Sequence, residues 1–181
     1  MVSDTSPFQA LKTLAQRVRD TAAPLPDRSK ASDNWQAIAF EFMNDIFVIP
    51  MKDVKEVLPT PSTTRIPGVQ QWVKGIANVR GEILALVDLN SFISSGRTSN
   101  PNLSRVVAVE IGAVRFGLIV DRVIGMRQVN QAQIQPGATK SCPKEIAEYV
   151  SGAAQLDEYQ VNLFDPMKLV NSDTFSSVST L

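Results

Sequence analysis

The chain has 181 residues, 44% apolar and 20% charged, which is a globular profile with length for one ordinary domain or two very small ones. Lysine plus arginine and aspartate plus glutamate both number 18, so the long-range field that draws a protein to nucleic acid or anionic lipid is missing. Histidine is absent, which removes the usual general base near neutral pH, the commonest zinc ligand, serine and cysteine triads and any phosphorelay histidine. The single cysteine, Cys142, excludes an internal disulfide and a multi-thiolate metal site, and it fits a reduced cytoplasmic setting. Neither export nor membrane insertion is expected, because the N-terminus lacks a basic segment followed by an apolar run and no stretch reaches the roughly 18 apolar residues that span a bilayer.

Residues 7–22 carry Phe8, Leu11, Leu14, Ala15, Val18 and Ala22 at helical spacing, with Lys12, Arg17 and Arg19 off that stripe. The pattern predicts one amphipathic helix, with Ser6 to cap it, Pro7 in its first turn, and Pro24 and Pro26 to prevent continuation. Its apolar stripe can pack on the chain's own β domain or bind a partner. Residues 27–34 are polar and aperiodic, so 1–34 reads as helix and linker, and the compact domain should begin near Trp35.

From Trp35 to about residue 172 the chain consists of short β-branched and aromatic runs punctuated by Gly, Pro, Asn and Asp, which predicts a mainly β fold. Two short helices are expected at strand ends, at 90–93 after Asp88 and at 166–170 after Asp165. Residues 96–102 read as a connector, and 173–181, rich in serine and threonine, as a mobile tail.

Comparing the chain with itself shows two copies of one pattern. Ile38-Ala39-Phe40-Glu41-Phe42 lies over Val107-Ala108-Val109-Glu110-Ile111, and Phe116 follows Phe47 by the same 69 residues. Further on, Trp72 to Val79 lies over Tyr149 to Leu156, and Leu86-Val87-Asp88 over Leu163-Phe164-Asp165, now 77 residues apart. The chain is therefore a tandem of two β units, about 35–95 and 103–170, each of a size at which independent stability is marginal. Asp88 and Asp165 agree between copies and are expected to cap helices. Gly75 and Gly152 agree and are expected to need positive φ or close packing. Arg80-Gly81 has no like counterpart, since Asp157-Glu158 stands there in the second copy. In Asn78-Val79-Arg80-Gly81-Glu82, Gly81 should make a turn between two strands and Arg80 should project from its tip, free to fork onto a carboxylate.

Residues 73–89, Val-Lys-Gly-Ile-Ala-Asn-Val-Arg-Gly-Glu-Ile-Leu-Ala-Leu-Val-Asp-Leu, resemble the signature of the CheW-like chemotaxis coupling proteins. Val54-Lys55-Glu56-Val57, Gly117-Leu118-Ile119-Val120-Asp121-Arg122-Val123 and Gln133-Ile134-Gln135-Pro136 match in order around it, so that the motifs run from residue 54 to residue 136. The resemblance implies a fold of two SH3-like five-stranded β-barrel subdomains around a shared core. It implies a non-catalytic adaptor, without cofactor, that couples a methyl-accepting chemoreceptor to the regulatory domain of a CheA-like histidine kinase. By resemblance the receptor-binding residues are Val54, Glu56, Val57, Gly75, Asn78, Arg80 and Val106, with Arg80 the polar anchor and the valines an apolar seat. Ile134 and Pro136 are nominees for the kinase contact.

Ala85 stands where the family often has proline. The N-terminal extension, together with Pro67-Gly68-Val69-Gln70-Gln71-Trp72, resembles the CheW-like proteins of type IV pilus chemosensory systems, which implies control of twitching motility. Flagellar chemotaxis coupling is the alternative, and a β-barrel module binding another ligand or nucleic acid a more distant one. An enzyme using Asp45, Asp88 or Asp165 with Lys74 would need those groups brought together by the fold, for which no motif speaks.

Overall fold

A computed structural model describes residues 34–94, 100, 102–156 and 158–178. The expected helix at 7–22 and most of the linker lie outside these residues, and the described part of the chain begins at Asn34. Strand β1 (Asn34–Phe42) turns through Met43 and Asn44, both at positive φ, into β2 (Asp45–Pro50). A 3₁₀ turn leads to β3 (Val54–Pro59), and after a long loop come β4 (Val73–Val79), β5 (Glu82–Asp88) and helix α1 (Leu89–Ile93). The second copy follows as β6 (Arg105–Ile111), β7 (Val114–Val120), β8 (Arg122–Asn130), the two-residue β9 (Gln135–Pro136), β10 (Val150–Leu156), β11 (Tyr159–Phe164) and α2 (Pro166–Val170). Every large element of the first copy thus has a counterpart at the spacing found in the sequence, and the fold is mainly β.

The strands form two sheets, in the orders β8-β1-β2-β11-β10-β9 and β3-β6-β7-β5-β4. These sheets cut across the halves 35–95 and 103–170. The hairpin β1–β2 of the first copy is inserted between β8 and β11 of the second, and the hairpin β6–β7 of the second is inserted between β3 and β5 of the first. Both insertions use one antiparallel and one parallel edge, β2 with β11 and β7 with β5 being parallel. Neither half can complete a sheet without the other, so two marginal units become one cooperative body.

Three clusters of buried side chains explain why the exchanged strands are apolar on both faces. Alternate residues point to opposite sides of a strand. In β1, Ala37 and Ala39 face a small core with Val48, Val129, Val161 and Leu163, all from their own sheet. Ile38, Phe40 and Phe42 face the other way, into a large core that both sheets share through Phe47, Val107, Phe116, Leu118 and Phe164. The second sheet has its own small core of Ala77, Val79, Leu84, Leu86, Val106, Ala108 and Ile119. One face of a single sheet can converge on a common cluster only if the sheet curls, and both do.

The two copies also agree in detail. The β4–β5 ladder slips between Val73 and Gly75, and the β10–β11 ladder between Val150 and Gly152. The Asp88 N–H donates to the Trp72 carbonyl and the Asp165 N–H to the Tyr149 carbonyl, both at 2.8 Å.

The expectation of a mobile tail from residue 173 does not hold for Asp173 to Val178. Helix α3 (Asp173–Ser176) is capped by the Ser172 hydroxyl, and Phe175 stacks on Trp72 at 5.7 Å between ring centres. Phe116 and Phe92 also lie against it, so one aromatic in a serine-rich segment ties that segment to the shared core.

Candidate docking site

Val79 pairs with Glu82, leaving Arg80 and Gly81 as a two-residue turn with φ of 53° and 88°. Both values are positive, as the tight turn between right-twisted strands requires, so Arg80 takes the left-handed conformation that a side chain with a Cβ rarely adopts. The Asn78 side-chain oxygen accepts from the Gly81 N–H at 2.8 Å, which fixes the turn and gives Asn78 a structural task beside its exposed position. Arg80 projects from the tip as expected, with its side chain 84% exposed.

The guanidinium is held on one side. Arg80 Nε lies 3.2 Å from Glu56 Oε2 on β3, so the structure unites two of the sequence-nominated residues in one ion pair. Beside it, Glu82 accepts from Lys55 Nζ at 2.8 Å and from Arg115 Nη1 at 2.6 Å, while Glu110 accepts from Arg115 Nη2 at 3.0 Å. The Lys55 ammonium, and with it the Arg115 guanidinium, hold the Glu82 carboxyl below the usual carboxylate range. Glu110, followed by Glu82, raises the Arg115 guanidinium above its own.

The remaining nominees divide by burial. Val54 is half-buried against the shared core, and Val57 on the same strand is 38% exposed. Val106 has no exposed surface; it is a member of a small core and supports the site only through packing. Gly75 is buried with φ of 125°, and a Cβ there would stand 2.2 Å from the Thr64 carbonyl oxygen. Its close packing lets residue 64 exchange two backbone hydrogen bonds with Ile76. Gly75 thus shapes the outer edge of the sheet and offers no contact of its own.

Ile134 and Pro136 lie on the other sheet, apart from the Arg80 hairpin. Ile134 packs against that sheet's small core and lines an apolar cleft with Trp35, Met51 and Leu163, whereas Pro136 is exposed and pairs with Gly152. Sequence reasoning missed Ile83, which is 71% exposed and paired directly with Asn78 on the β4–β5 hairpin. Strand alternation between Glu82 and Leu86 contains the signal, since Leu84 and Leu86 face inward and the residue before Leu84 must face out. The four-charge cluster was also missed, because its members are joined only by the tertiary fold.

Two of the three carboxylates considered for catalysis, Asp88 and Asp165, are helix caps. Asp88 accepts from the Asn90 N–H at 3.0 Å, the Ser91 N–H at 3.4 Å and the Ser91 hydroxyl at 3.0 Å. Lys74 does stand beside it, with Nζ 3.3 Å from Oδ2, and also donates to Ser91 Oγ. Asp165 repeats the cap on Met167 and Lys168. Asp45 opens β2 and Asp165 follows β11, both in the first sheet, whereas Lys74 is on β4 of the second. Among the described residues, no group of three or more His, Cys, Asp or Glu could hold a metal ion, and no helix is long and apolar enough to cross a membrane.

A family model described as the CheW-like domain matches residues 36–174. Protein PilI of Pseudomonas aeruginosa is 44% identical over 122 residues, covering 67% of this chain and 68% of that protein. Chemotaxis protein CheW of Klebsiella aerogenes is 26% identical over 144 residues, covering 80% of this chain and 86% of that protein. Among solved structures, the crystal structure of the scaffolding protein TtCheW from Thermoanaerobacter tengcongensis matches with a TM-score of 0.67 at 26% identity, covering 77% of this chain and 94% of that one.

Proposed function

The chain belongs to the CheW-like domain family, and from that premise we propose that it is a non-catalytic scaffold joining a methyl-accepting chemoreceptor to the regulatory domain of a CheA-like histidine kinase. It acts in the cytoplasm, held at receptor arrays by protein contacts, in a system that controls type IV pilus twitching motility. The observation that carries the docking role is the exposed Arg80 on a tight two-residue turn, seated against Glu56 and close in sequence to Asn78 and the exposed Ile83. A guanidinium has five N–H donors in a fixed fork, and Glu56 meets only one edge of it, so the rest can take a partner's carboxylate or carbonyl. Val54, Val57 and Ile83 supply apolar surface on the strands that flank this charge. The cleft lined by Ile134, together with the exposed Pro136 on β9, is the proposed kinase side.

The pilus assignment is supported by the 44% identity to PilI. The wider coverage by chemotaxis CheW, 80% of the chain, favours flagellar coupling as a second reading. Deleting the gene in its own organism separates the two. The pilus reading expects lost twitching with swimming intact, and the converse result would replace it with the flagellar one.

A further inference from the structure

Arg80 and Glu56 meet although β4 and β3 are the outermost strands at opposite ends of the order β3-β6-β7-β5-β4. Backbone pairing alone does not set the gap between those edges. What spans it is the charge cluster. Lys55 adjoins Glu56 on β3, Glu82 is two residues beyond Arg80, Glu110 lies near the end of β6, and Arg115 is the second residue of β7. Glu82 Oε2 takes both Lys55 Nζ and Arg115 Nη1, and Glu110 Oε2 takes Arg115 Nη2 at 3.0 Å and Lys55 Nζ at 3.7 Å. The four side chains therefore close a ring that touches four of the five strands. An isolated surface pair holds little, but a ring of alternating charges fixes each member from two sides.

Resting on the docking role of Arg80 proposed above, we propose that Glu82 is a positioning residue for that site: through Lys55 and Arg115 it fixes the spacing between the β4–β5 tip and β3, and so holds Arg80 where a partner meets it. Glu82 need not touch the partner. Its effect passes through Arg80, and that distinguishes it from a residue that merely supports the sheet.

The test is a double-mutant cycle with Glu82→Gln and Arg80→Ala in the full chain, titrated calorimetrically against a purified cytoplasmic hairpin of a methyl-accepting chemoreceptor from the same organism. Far-UV circular dichroism checks the fold of each variant. Glu82→Gln is expected to weaken binding about fivefold in the otherwise unchanged protein and to have no further effect once Arg80 is alanine. An equal loss in both backgrounds would make Glu82 a general structural residue and overturn the proposal. So would unchanged affinity in Glu82→Gln while Arg80→Ala weakens binding. Wild-type affinity in Arg80→Ala is a different failure, since it removes the docking role of Arg80 on which this proposal rests.

Discussion

Arg80 Nε stands 3.2 Å from Glu56 Oε2, joining the tip of the β4–β5 hairpin to the outer strand at the far end of the same curled sheet. The contact places the most exposed charge of the hairpin at the seam where the sheet's two edges approach. Gly75 and the Lys74–Asp88 pair belong to the same sheet, and they and their counterparts in the second copy can be tested without any partner.

Gly75→Ala should destabilise the fold by about 2 to 4 kcal/mol, because the new Cβ meets the Thr64 carbonyl oxygen at 2.2 Å and the backbone φ of 125° is strained for any L side chain. Gly152→Ala, its counterpart, should cost less. There the nearest atom is the Gln135 carbonyl oxygen at 2.8 Å and φ is not in the strained range. Urea unfolding of both variants measures the difference, and equal losses would show that backbone strain at Gly75 has been overestimated.

Asp88→Ala and Asp165→Ala both remove a helix N-cap, for which about 1 kcal/mol is typical. Asp88 is 2% exposed and also pairs with Lys74, so its removal should cost at least about 2 kcal/mol. Thermal unfolding would reveal the order. A larger loss at Asp165 would contradict the view that the Lys74–Asp88 pair is a structural brace.

Burial pushes the Cys142 thiol up to about 11, with the Asp45 carboxylate adding to the effect. Iodoacetamide at pH 8 should therefore alkylate the native protein about a hundredfold more slowly than the urea-unfolded chain, reflecting the smaller thiolate fraction. Because the folded value is raised, this group's contribution to stability is complete below the unfolded value and is lost as pH rises through 11. Fast alkylation of the native protein would place the thiol in open solvent.

Much of this architecture was legible in the chain because duplication doubles every local signal. The spacing from Phe47 to Phe116 and from Asp88 to Asp165 located the repeated strands and caps, and Asn-Val-Arg-Gly-Glu marked the turn that lifts Arg80. The exchange of hairpins was not legible. Strands β1 and β6 are buried on both faces, so their apolar runs say that they are central without naming their neighbours. Val106 illustrates the limit at the site, where a valine matched to a docking role proves to be core. The ring of Lys55, Glu82, Glu110 and Arg115 was invisible for a related reason, since its members are scattered through the sequence and ordinary one by one. Phe175 similarly overrode the serine-rich composition around it.

The most direct test of the adaptor account is the affinity of Arg80→Glu for the receptor hairpin and, in parallel, for the kinase regulatory domain. The substitution sets a second carboxylate against Glu56 and removes the anchoring fork, leaving the buried cores untouched. The account predicts receptor binding weakened by more than about tenfold, with kinase-domain binding and the circular dichroism spectrum unchanged. Unchanged receptor affinity in the folded Arg80→Glu protein would contradict it.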